Sequence, residues 1–229
     1  MKQFFIILVL IAIVSDLPSA IAQARSAKQT IQLFNGNDLA GWYTHLKGRG
    51  KGNDPKNVFR VKDGILQITG EEWGCITTED EYENYRLTVE YRWDGGTHAP
   101  REDKARDSGI LIHSQGADGG YDGTWMHSIE CQIIEGGTGD FIVVGDGSEE
   151  FSITVPVAEE KQAGAYVYKP HVGQDATINR GRINWLGRDP EWKDAKDFRG
   201  VRDLERPPVG LADDVDHVLD PVLRVRPHP

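Results

Sequence analysis

The sequence predicts an all-β sandwich. Three observations carry that expectation: the chain reads as short segments alternating apolar and polar residues, Gly, Asn and Asp punctuate them, and no segment has convincing helical periodicity. About 200 residues follow an apolar leader, enough for one domain with a sizeable core.

The leader comes first. Lys2 precedes an apolar run from Phe4 to Val14, then Pro18 and small residues, with Ala20-Ile21-Ala22 and Ala22-Gln23-Ala24 as A-x-A cleavage sites. Residues 1–24 therefore read as a secretory signal peptide, and the run is too short to span a bilayer as a mature helix. The expected product is secreted or periplasmic, with no membrane association after leader cleavage. A retained N-terminal anchor is the alternative.

The β elements follow in order. Asn57–Val61 and Ile65–Thr69 flank Lys62-Asp63-Gly64, and Asp-Gly is a strong hairpin signal. Trp73–Thr78 is the next strand. Tyr85–Trp93 alternates, with Leu87, Val89, Tyr91 and Trp93 on one face and Arg86, Thr88, Glu90 and Arg92 on the other. Gly95–Arg106 is polar and rich in Gly, Pro and charge, hence a loop. Ser108–His113 and Trp125–Glu135 are further strands. In the second, Ile129, Cys131 and Ile133 form an apolar face, and Ser128, Glu130 and Gln132 a polar one. Phe141–Val144 returns antiparallel after the turn at Gly136-Gly137-Thr138-Gly139, and from about Pro190 the chain is charged and irregular.

Composition narrows the function classes. A net charge of −10 argues against a nucleic-acid partner, which needs a basic footprint. The leader's Lys2 and Asp16 cancel, so cleavage leaves that charge unchanged. Six Trp and seven Tyr suit a sugar binder, whose aromatic faces stack on pyranose rings, and suit an ordinary β core equally well. Cys75 and Cys131 read as buried free thiols, with a disulfide as the alternative.

Glu130 and Gln132, two apart on a strand, leave the same face. A carboxylate that moves a proton beside an amide that fixes a hydroxyl or carbonyl oxygen makes a workable sugar site. Glu90 is the candidate second carboxylate, as glycosidases require. His113 is a candidate acid or base, Arg92 an oxyanion clamp, and His127 and Trp125 flank the Glu130 strand. By periodicity alone Glu90 and Arg92 read first as a solvated sheet face, and His113 as structural. Neither Cys-x-x-Cys nor His-Glu-x-x-His occurs, so zinc of those types is not expected. No cofactor is expected. Asp118 and Asp122 in the loop Gly116–Gly123 could hold calcium, but their spacing matches no EF-hand. Asp107-Ser108-Gly109 is not a nucleophile elbow.

Several segments in order resemble one family. Leu33-Phe34-Asn35-Gly36-Asn37-Asp38-Leu39-Ala40-Gly41-Trp42 is similar to the opening of the 3-keto-disaccharide hydrolase domain. Phe59–Leu66, Glu83-Asn84-Tyr85 into Glu90-Tyr91-Arg92-Trp93, Asp107-Ser108-Gly109-Ile110 and Ile129-Glu130-Cys131-Gln132-Ile133-Ile134 follow. The resemblance covers roughly Gln32 to Gly210, within a domain taken as 30–210. It implies a concanavalin-like jelly-roll sandwich, carbohydrate as the partner, and cleavage of glycosides whose sugar is oxidised at C3. By that analogy Glu130 is base or acid, with Gln132, Arg92 and His113 around the keto oxygen and Asp107 among the substrate-binding residues. Asp107 stands where Asn is frequent in the family. A non-catalytic carbohydrate-binding module on the same fold is the rival reading.

The end of the chain departs further. Relatives continue after Gly210 into a Trp-Asn segment and closing strands, whereas 211–229 reads as an irregular tail from a shifted frame. The expectation is a sandwich lacking its closing C-terminal strands and left with unpaired edges.

Overall fold

A computed structural model describes residues 30–185, 187–189 and 191–196, together with the backbone of 217–219. The chain divides into two units, 1–32 and Leu33–Pro229. Of the first, residues 30–32 are described, as exposed irregular backbone. The expected leader, residues 197–210 and most of the tail lie outside the described residues.

Among the described residues of the second unit, everything regular is β. The strands are β1 (Trp42–Leu46), β2 (Gly50–Lys51), β3 (Phe59–Lys62), β4 (Ile65–Ile68), β5 (Gly74–Thr78), β6 (Val89–Tyr91) and β7 (Asp107–Gln115). They continue as β8 (His127–Ile134), β9 (Phe141–Val144), β10 (Ile153–Val157), β11 (Tyr166–Val167), β12 (Gln174–Ile178), β13 (Gly181–Asn184) and β14 (His217–Leu219). No helix occurs among the described residues.

The largest sheet runs β11-β13-β9-β8-β7. Its inner face carries Val143 and Ile183, which pack with Val157 and Ile178 from the β10–β12 pair, while Phe141, Ile153 and Val155 fill the margin. These two sheets are the layers of a sandwich, and period-two alternation places one side of each strand in the core. Ile129, Cys131 and Ile133 are buried along β8, on the face their alternation requires. The hairpin at Asp63-Gly64 forms as expected, with both residues at positive φ and β3 paired to β4. Cys75 and Cys131 are free thiols.

A second small core lies under the β2-β1-β5 sheet. Leu46, Val58 and Phe59 are buried there, with Leu39 and Ile76 packed against them. Asp54 caps the approach to β3 by accepting hydrogen bonds from the backbone N–H of Val58 (2.8 Å) and Phe59 (2.9 Å). Gly74 pairs with Leu46, and a side chain at position 74 would run into the leucine's methyl group.

The opposite face of β1 holds the β7–β8 loop. Tyr43 donates its hydroxyl to Asp118 (2.9 Å), His45 packs on Gly119 and Gly123, and Lys47 pairs with Asp122 (2.8 Å). Burial, then the Asp118 carboxylate, pushes the Tyr43 phenol up to about 12, so it remains a donor. Strand β6 pairs antiparallel with β14, a piece of the tail expected to be irregular.

Leu46 has none of its surface exposed and Val172 has 73%. Leu46→Ala should therefore lower the unfolding free energy by about 2–5 kcal/mol, whereas Val172→Ala should change it by less than about 0.5 kcal/mol. Urea denaturation of both variants checks this.

Candidate active site

The outer face of the five-stranded sheet carries charged residues among apolar ones. Leu111 pairs with Glu130, Glu130 with Ile142, and Ile142 with Arg182, so these four side chains lie in line across β7, β8, β9 and β13. In the next row Gly109 opposes Gln132, and in the row after that Asp107 opposes Ile134. Alternation thus assigns Asp107, Glu130, Gln132 and Arg182 to one face.

Gly109 makes the arrangement possible. A Cβ there would occupy the space of the Glu130 carboxylate and stem, so the absent side chain lets Glu130 lie diagonally across the hairpin. Gln132, 2% exposed, donates through Nε2 to Asp107 Oδ1 at 2.5 Å. Its Oε1 is buried and has no hydrogen-bond partner among the described residues. With the amide nitrogen committed to a carboxylate, the buried oxygen is left as an unmatched acceptor. Arg101 pairs with Asp107 (3.2 Å) and Asp194 (2.9 Å), and Asp194 also accepts the Ala105 N–H (3.2 Å).

Arg182 is held from behind. Its Nη1 donates to Asp140 Oδ2 at 2.7 Å, and its guanidinium lies 5.9 Å from the Trp192 ring centroid. Asp140 has no exposed surface. It also pairs with Arg188 and accepts the Trp185 N–H at 3.1 Å. Trp192 in turn donates to the Glu135 carbonyl (3.1 Å), so the segment after β13 folds back onto the β8–β9 turn.

The electrostatics follow from this burial. Desolvation raises Glu130 to about 7; the Asp107 charge raises it further and Arg182 opposes. Asp107 is raised to about 6, first by burial, with Arg101 and Arg182 pulling it down and Asp194 pushing it up. Burial lowers the Arg182 pKa, while Asp107 and Glu130 favour its charged form. A carboxyl poised near neutrality beside a fixed cation and an oriented amide can take a proton from carbon and stabilise the charge that results.

Of the residues singled out from sequence, the structure brings Asp107, Glu130 and Gln132 together. Glu90 and Arg92 are exposed on and beside β6, whose Tyr91 is half-buried and bonded to Thr138 (3.2 Å). His113 is exposed at a bulge between Ile112 and Gln115, with φ 53°. His127 is buried with the core face, stacked on Phe151 at 3.9 Å, and Trp125 packs on Trp73. Arg182, Arg101, Asp140 and Asp194 were not among the sequence candidates. Gly181-Arg182-Ile183 has the alternation of a half-buried strand, the one signal that could have found Arg182. Asp118 and Asp122 are engaged by Tyr43 and Lys47, and no metal-holding group of three or more His, Cys, Asp or Glu exists among the described residues.

A family model described as a 3-keto-alpha-glucoside-1,2-lyase-like domain matches residues 29–186. No curated protein and no solved structure matches the chain.

The raised Glu130 pKa has a stability consequence. Glu130 sits at about 7 in the fold against an ordinary 4.5, so the native state is penalised as pH rises through that interval and carries no penalty below it. Glu130→Gln should raise the melting temperature at pH 8, by up to about 3 kcal/mol in free energy, and leave it nearly unchanged at pH 4. Thermal melts at both pH values test this.

Proposed function

The chain belongs to the 3-keto-alpha-glucoside-1,2-lyase-like domain family, and on that basis we propose that it cleaves glycosides whose sugar carries a ketone at C3. The observation that carries the reading is the Glu130 carboxyl in the space opened by Gly109, flanked by Gln132 and Arg182.

The chemistry follows from the ketone, which acidifies the adjacent C2–H. Glu130, ionised, takes that proton, and the electron pair is delocalised onto the C3 oxygen as an enolate. Arg182, held by Asp140, supplies the cation that stabilises the developing negative charge. Collapse of the enolate forms the C1=C2 double bond and breaks C1–O. The departing oxygen takes up the proton carried by Glu130, which regenerates the carboxylate. Water added across the double bond afterwards makes the net outcome hydrolysis. Gln132 positions Asp107 beside Glu130, with Arg101 on the other side of that carboxylate.

This route differs from that of a glycosidase, which needs two carboxylates on either side of the scissile bond. Asp107 lies on the same side of the sheet as Glu130 and is bonded to Gln132, which suits an orienting role. The proposal includes an extracytoplasmic setting, supported by the sequence of residues 1–24.

Glu130→Gln should lower turnover of a 3-keto-disaccharide by about a hundred- to ten-thousand-fold with the fold intact by circular dichroism. Undiminished turnover would remove Glu130 from the mechanism. For the native chain, kcat/KM should rise with pH through about 7 and then level, as the base ionises. Asp107→Asn removes a like charge, so it should move that rise to lower pH; a stopped-flow pH profile that stays put or moves upward contradicts the coupling.

A further inference from the structure

A groove of about 450 Å³ opens on the surface where the β1–β2 turn meets the start of β5, lined by Lys47, Gly48, Arg49, Glu71, Glu72 and Trp73. It is shallow and open to solvent, a shape that can receive part of an extended chain without enclosing it. Trp73 is 40% exposed although it is the largest apolar side chain there. It is also held in place. Its ring stands edge-on to Trp125, with centroids 5.8 Å apart and planes at 88°, and its carbonyl accepts the Lys47 N–H at 2.9 Å.

The polar wall is equally ordered. Arg49 makes a two-point pair with Glu72 (2.5 and 2.8 Å), and Lys56 joins the same carboxylate at 2.8 Å. These partners hold Glu72 down to about 2, Arg49 first, so the cluster stays fully charged. Gly48 stands at positive φ with open space where its Cβ would project, which leaves the floor clear. The lining holds two cations, Lys47 and Arg49, and two anions, Glu71 and Glu72, on a chain of net charge −10. A fixed indole beside donors and acceptors of cancelling charge matches a neutral, hydroxyl-rich ligand with one apolar face. It does not match a polyanion.

We propose that this groove is a second carbohydrate site, which holds a neutral polysaccharide chain by stacking a sugar ring on Trp73 while Arg49 and Glu72 bind its hydroxyls. The site is separate from the Glu130 cluster, since Trp125 lies in the loop before β8 and Glu130 in the middle of that strand. It stands independently of the lyase reading.

Native gels cast with hydroxyethyl cellulose, with soluble starch or with polygalacturonate test it. The native chain should be retarded by at least one of the two neutral glucans and not by the acidic polymer. Trp73→Ala should weaken that retardation by about tenfold or more, and Glu130→Gln should leave it unchanged. Retardation by neither glucan, or retardation undiminished in Trp73→Ala, overturns the proposal, as does equal loss in Glu130→Gln or equal retardation by polygalacturonate. If Trp73→Ala does not fold, oxidation of the native chain by N-bromosuccinimide, read at the Trp73 peptide, decides instead. Protection by the glucan supports the site, and unprotected oxidation overturns it.

Discussion

A carboxylate with no surface in water must be neutralised where it lies, and Asp140 is such a group. Its partners come from three places: Arg182 on β13, Arg188 beyond that strand, and the Trp185 backbone N–H. The Asp140 carbonyl additionally accepts the Gln132 N–H at 2.9 Å. One residue in the β8–β9 turn therefore fixes the end of β8, the guanidinium beside Glu130, and the segment that folds back over the sheet edge. Loss of its charge would break both of these arginine pairings in the interior, the kind of change that costs several kcal/mol.

The candidate site draws its character from the balance struck around that anchor. Glu130 and Asp107 are both raised by burial, and each is a like charge to the other. Arg182 and Arg101 keep the pair from becoming two neutral acids. Asp107, with Arg101 and Gln132 bonded to it, is the better stabilised anion. Glu130, with no hydrogen bond given to its carboxyl among the described residues, is left as the more basic of the two. One face of one hairpin thus carries an orienting acid and a reactive one, separated by a glycine.

Much of the fold was legible in the sequence because period two is a local signal. Ile129, Cys131 and Ile133 against Ser128, Glu130 and Gln132 sorted correctly, and so did the Asp63-Gly64 hairpin. What alternation cannot say is what covers the other side. The polar face of β8 reads as solvated, yet Gln132 is buried and bonded to Asp107 on the neighbouring strand. Arg182 joins Glu130 through two intervening strand pairings, which no local pattern encodes. Glu90 and Arg92 lie on the exposed face and Tyr91 on the other, as their alternation has it. The bulge that rotates His113 outward is a break in register, invisible to a count of alternating residues.

Strand β1 is read on both sides at once. Thr44 and Leu46 face the small core, while Tyr43, His45 and Lys47 each meet a different point of the β7–β8 loop. Side chains on a strand exchange faces with every residue, so no intermediate setting satisfies both. Deleting one codon in β1 would do more harm than most substitutions there. It would send a lysine toward the core and a leucine toward Gly119 and Gly123, and would release the loop and unpack the core in the same stroke. For this strand, tolerance to length change is far lower than tolerance to chemical change.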